Sequence, residues 1–182
     1  MSNPILTGLA GFSVLLLVSG MTQHQPDFSG TWVLVDARVA GATRASSGTA
    51  EAGGGVPTTV DTISGAAFNC GRECTITHKG QTLTIDNAQL ADFVGRDKSR
   101  PTPAVTLQLD GREVTVIDSF NPHLNIPVTA KWNGDKLQID GRGDPIAVNQ
   151  LLSIEATQLV VVSVTFLNGE RRSEVTFKYK KK

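Results

Sequence analysis

The chain has no excess of charge: Lys and Arg number 17, and Asp and Glu number 17. Nucleic acid is therefore not expected as a partner, because that binding rests on neutralising phosphates with a basic surface. Only three histidines occur, His24, His78 and His123, too dispersed in sequence to suggest a metal site. There is no Gly-x-Ser-x-Gly elbow and no His-Glu-x-x-His, so neither a poised nucleophile nor a zinc protease centre is indicated. Gly53-Gly54-Gly55 is followed by no Gly-Lys-Ser/Thr and preceded by no buried strand, which excludes a phosphate-binding loop. No catalytic residue, metal or cofactor is assigned, and the chain is read as a non-enzyme. A membrane-spanning run is also missing. The longest uncharged apolar stretch, Pro4 to Val18, is about 15 residues, where a transmembrane helix needs about 20.

That stretch has the length of a signal-peptide core, and Val18-Ser19-Gly20 supplies small residues for cleavage. Residues 1–20 are read as a signal peptide, although Met1-Ser2-Asn3 carries no Lys or Arg. The expected location is secreted or periplasmic. The remainder, 21–182, is long enough for one domain with a buried core and too short for two comfortable ones.

Cys70 and Cys74 stand four apart in Asn-Cys-Gly-Arg-Glu-Cys. In an oxidising compartment a small-loop disulfide is the leading reading, and it needs a turn through Gly71. A metal site with His78 and a pair of free thiols are the alternatives. From Ala37 to Ala67, Ala, Gly, Ser and Thr dominate with neither helical nor strand periodicity, so 37–67 reads as a long flexible loop.

Beyond Cys74 the chain alternates strand and turn. Lys79-Gly80, Asp110-Gly111, Asn133-Gly134 and Asn168-Gly169 mark turns, each flanked by β-branched residues at alternating positions. These predict tight hairpins with type I′ turns. A further hairpin runs from Asn149 through Glu155-Ala156-Thr157 to Phe166. Apolar residues such as Ile76, Leu83 and Ile85 alternate with Thr75, Thr77, Thr82 and Thr84, giving one wet face and one core face. Leu159 to Val164 is apolar on both faces, so that strand is expected to be covered outside as well. The fold class is all-β: an antiparallel up-and-down barrel of about 8–10 strands, since so many strands with short connections must close.

Asp27-Phe28-Ser29-Gly30-Thr31-Trp32 resembles the first-strand Gly-x-Trp signature of lipocalins and fatty-acid-binding proteins. Val175 to Lys180 resembles the last strand that packs beside it. Together with Lys131-Trp132-Asn133-Gly134-Asp135-Lys136-Leu137, the pattern is similar to secreted bacterial lipocalin-like proteins. The resemblance implies a calycin barrel in which Trp32 plugs the closed end and the 37–67 insertion lies over the mouth. It also implies a small hydrophobic molecule as the partner, held in the interior. Two elements of those families are missing: the Thr-Asp-Tyr lipocalin motif, and an Arg-x-Tyr near the C-terminus for a fatty-acid carboxylate. Carboxylate binding is not implied.

The candidate ligand-lining residues are Ile76, Leu83, Leu107, Val116, Ala130, Trp132 and Ile154, taken as inward-facing. Core packing is the competing role for Trp132, which precedes the Asn133-Gly134 turn. His78 and His123 are expected in solvent. Asp118, Asp140, Glu155 and Glu174 could line a pocket, but their separations do not argue a catalytic pair. Lys178, Lys180, Lys181 and Lys182 read as a solubilising end or an edge-strand guard. Arg142-Gly143-Asp144 matches a cell-adhesion tripeptide, yet turn composition alone accounts for it. A monomer is expected. The rival function is a structural or protein-interaction barrel whose core its own side chains fill.

Overall fold

The structure, a computed structural model, describes residues 25–40, 70–87, 104–117 and 125–182. The expected signal peptide, His24, Asp118 and His123 lie outside these residues. Ten strands follow in chain order: β1 (Gly30–Val39), β2 (Glu73–Lys79), β3 (Thr82–Asp86), β4 (Val105–Gln108) and β5 (Val114–Ile117), then β6 (Asn125–Asn133), β7 (Lys136–Arg142), β8 (Ile146–Glu155), β9 (Gln158–Leu167) and β10 (Glu170–Lys181). They form one antiparallel sheet in the order β4-β3-β2-β1-β10-β9-β8-β7-β6-β5.

The sheet curls so that its two ends almost meet. Asp110 bridges Lys131 of β6, and the Gly111 amide donates to the Ala130 carbonyl at 2.9 Å. On its other side the Leu109 amide donates to the Gln81 carbonyl at 2.8 Å. The segment from Val105 to Ile117 therefore pairs first with β3 and then with β6, and carries the sheet round into a nearly closed barrel. Asp110-Gly111 does not close a hairpin, because β4 and β5 are not neighbours in the sheet. The Gly there, at φ 85°, turns the chain from one partner strand to another.

The remaining turn signals all connect neighbouring strands, but in two geometries. Asn168-Gly169 has both central residues at positive φ, the type I′ pattern. Between β2 and β3, and between β6 and β7, the central pairs are Gly80-Gln81 and Gly134-Asp135, with only the glycine positive. Glycine at the first central position fits a II′ turn rather than the expected I′. Ala156 takes the equivalent place between β8 and β9 at φ 57°.

Side chains alternate across each strand as the period-2 pattern requires. The inward set, including Ile76, Leu83, Leu107, Val128, Ile139, Leu152 and Val161, forms one contiguous core. Val160 is buried on the outer side of β9, in line with the apolar run there. β1 extends through Val39, so the expected loop loses Ala37 to Val39 to the strand; residues 41–67 lie outside the described ones. β10 is paired on both sides, to β1 and β9, which removes the edge-guard reading of its lysines.

Candidate functional site

At one end of the barrel aromatic side chains pack together. Phe28, fully buried, stacks on Trp132 with ring centroids 5.8 Å apart and planes 13° from parallel. The Trp32 indole donates to the Phe28 carbonyl at 2.8 Å, and the Lys181 ammonium covers the Trp32 ring at 5.7 Å. Trp32 is thus buried in the core, as the expected plug role requires. His78 packs beside this pair, its ring centroid 6.1 Å from that of Phe28 and 5.9 Å from that of Trp132. Its side chain is only 10% exposed, which corrects the expectation of a solvent histidine. The physical reason is parity: position 78 shares the inward face of β2 with Cys74 and Ile76.

Short polar contacts fix the segment before β1 against this end. The His78 amide donates to the Ser29 hydroxyl at 3.0 Å, and that hydroxyl donates back to the His78 carbonyl at 3.3 Å. Hydrogen bonding from Ser29, reinforced by the nearby His78, holds the Asp27 carboxyl below the usual carboxylate range. Cys70 and Cys74 form a disulfide with Cα atoms 4.9 Å apart, and both are buried in the same core. The metal and free-thiol alternatives are thereby set aside.

The seven expected lining residues all face inward, but they divide into two groups. Ile76, Leu83, Leu107, Val116 and Ala130 are buried within the core, with their surface already taken by neighbours. Trp132 and Ile154 keep exposed area while packing against that core. Leu34, Val105, Val114 and Phe177 share this half-buried inward position and were not among the expected set. Alternation places each of the four on the core face, so the signal was present; only the degree of burial was not.

A neutral polar group interrupts this apolar interior. Gln150 of β8 and Ser163 of β9 are paired across the sheet, 2% and 0% exposed, with the amide donating to the hydroxyl at a long 3.5 Å. Two residues along β9 on the same face, the buried Thr165 hydroxyl has no hydrogen-bond partner among the described residues. Tyr179 on β10 is also buried, and loss of solvent pushes its phenol well above the usual tyrosine range, so it stays neutral. No charged residue is buried among the described residues.

The other expected groups stay apart. Asp140 accepts from Gln138 and Asn149 on the outer face, Glu155 accepts from Ser153, and Glu174 pairs with Arg171. Arg142 and Asp144 are exposed beside the β7–β8 turn, where the Gly143 amide donates to the Ile146 carbonyl at 2.8 Å. Among the described residues no group of three or more His, Cys, Asp or Glu is placed to hold a metal ion.

No protein-family model and no curated protein matches the sequence. Solved structures do match. Human cRBP IV aligns over 86% of this chain and 99% of its own, at 16% identity and a TM-score of 0.52. Zebrafish ileal bile acid-binding protein, complexed with cholic acid, aligns over 85% and 98%, at 14% identity and 0.52. Fatty-acid-binding protein 1 of Echinococcus granulosus aligns over 85% and 96%, at 10% identity and 0.51.

The fold is similar to that of these fatty-acid-binding-protein-like β-barrels. On the core face of this barrel, Leu34, Val105, Val114, Trp132, Ile154 and Phe177 are the apolar residues that pack against the core while only partly buried.

Proposed function

We propose that this protein binds a small apolar molecule in the barrel interior and acts as a carrier rather than an enzyme. The observation that carries the reading is the set of apolar side chains named above, which lie on the core face of a nearly closed barrel and are only partly buried there. Apolar surface of that kind gains about 0.8 kcal/mol for each guest methylene it removes from water, before ordering costs. The solved neighbours support it at the level of fold, since their names describe bile-acid and fatty-acid binding. Export to a secreted or periplasmic location belongs to the same reading, supported by the Pro4–Val18 apolar run and by a disulfide, which persists in oxidising compartments.

A second reading is favoured by the packing of Ile76, Leu83, Leu107 and Ala130: a barrel filled by its own side chains, acting through its surface. Titration of the purified protein with a panel of lipids and uncharged fluorescent probes separates the two. The carrier predicts saturable binding at one site per chain. Uniform failure of the panel, with the same protein capturing a partner from the exported fraction, favours the filled scaffold.

A further inference from the structure

Two Asn-Gly pairs occur in the chain, Asn133-Gly134 and Asn168-Gly169. Both asparagines are exposed, and both glycines stand at positive φ. They differ in where the hairpin places the peptide that joins each pair. In the β6–β7 hairpin the central pair is Gly134-Asp135, so Asn133 is the last residue of β6 and faces Lys136 in register. Its carbonyl belongs to the closing rung of the ladder, and the Gly134 nitrogen shares the rigid plane of that peptide. In the β9–β10 hairpin Leu167 and Glu170 close the ladder, and Asn168-Gly169 is itself the central pair. The peptide between two central residues makes no rung. Among the described residues the Gly169 amide donates no backbone hydrogen bond, and nothing lies within 4 Å of where a Cβ on residue 169 would stand.

From this we infer that Asn168 is a site of spontaneous deamidation, and that Asn133, with the same glycine neighbour, is protected by its place in the ladder. The Gly169 nitrogen attacks the Asn168 Cγ. An N–C bond forms, the bond from Cγ to Nδ2 breaks, and ammonia leaves with the proton that the Gly169 nitrogen gives up. Water then opens the cyclic imide at either carbonyl and leaves aspartate or isoaspartate at position 168. No electron is transferred, and water is the only co-reactant. Bringing the nitrogen onto Cγ requires rotation about the Cα–C bond of the asparagine. At Asn168 that rotation turns an unpaired peptide; at Asn133 it tears a rung. The new carboxylate enters a hairpin tip whose charges are already matched, Arg171 with Glu174 and Arg172 with Glu170. It therefore adds an uncompensated negative charge to that tip.

The test is peptide mapping by mass spectrometry of the full-length protein held at physiological temperature in mildly alkaline buffer, beside the same protein unfolded in urea with its disulfide reduced. In the folded protein, acid is expected at position 168 about three- to tenfold faster than at position 133, the factor that one backbone rung supplies. In urea the two positions are expected to convert at similar rates, because the ladder that distinguishes them is gone. In Asn168→Gln, whose longer side chain disfavours the ring, acid is expected to stop forming at position 168 and to form at 133 as before. Asn133 converting as fast as Asn168 in the folded protein overturns the inference. So does an intact Asn168 in the folded protein after the unfolded chain has converted there. A preference for position 168 of the same size in urea also overturns it, since that preference would come from neighbouring residues and not from the hairpin.

Discussion

The Lys181 ammonium sits 5.7 Å above the ring of Trp32, and it reaches that place only because residue 30 is a glycine. A Cβ on Gly30 would lie 2.4 Å from the Lys181 Cε, and Gly30 also has φ 140°, a conformation that side chains disfavour. The glycine, the tryptophan and the last strand are thus one device: β1 pairs with β10 through Trp32 and Lys181, and the lysine stem closes over the indole. Gly30→Ala is expected to destabilise by about 1–3 kcal/mol in urea unfolding, mainly from backbone strain, with a smaller part from displacing the flexible end of Lys181. Lys181→Ala alone is expected to cost about 0.5–1 kcal/mol. The double variant should recover part of the Gly30→Ala loss, since the clash goes while the φ penalty stays; full additivity would argue against the contact.

The Cys70–Cys74 bridge closes a short loop whose two cysteines are both in the core. Short loops restrict the unfolded chain less than long ones, so Cys70→Ser with Cys74→Ser is expected to cost about 2 kcal/mol. A thiol assay should find no free thiol in the native protein and two after denaturation with reductant, as the chain has only these cysteines.

Tyr179 gives an alkaline prediction that can be read directly, because it is the single tyrosine of the chain. Burial raises its pKa in the folded protein above the value in the unfolded chain. The neutral phenol therefore contributes stability that is complete below about pH 10, the unfolded pKa, and declines as the pH rises beyond it. The tyrosinate absorbance band is expected to appear later than for free tyrosine and together with loss of the fold. Tyr179→Phe should flatten stability above about pH 10. A phenol that ionises near its ordinary value in the intact protein would contradict the burial.

Ala156 holds φ 57° at the β8–β9 turn, where Gly80 and Gly134 hold the equivalent positions of their hairpins. A side chain there is strained, so Ala156→Gly is expected to stabilise by about 1 kcal/mol, read as a raised urea midpoint at constant slope.

The barrel was legible because antiparallel strands with one wet face write their parity into the sequence, and Ile76, Leu83, Leu107 and Ala130 all fell on the inward face expected of them. Turn residues likewise marked most connections. Asp110-Gly111 misled because a glycine at positive φ records a bend and not the partner of the strand that follows, which here is β6. His78 misled because a polar residue near a hairpin tip reads as solvent, whereas Phe28 and Trp132, one from before β1 and one from β6, close over it. The Gln150–Ser163 pair lies 13 residues apart within apolar strands, and only strand register brings the two together.

The central claim is that the interior of the barrel, not its surface, receives a small apolar molecule. Methyl NMR of the protein titrated with Nile red tests it most directly. Saturable shifts are expected at the inward Leu34, Val105, Val114 and Ile154, with little change at Val35 and Ile117, which are exposed. Shifts confined to the exposed methyls, or none at all, would contradict the account.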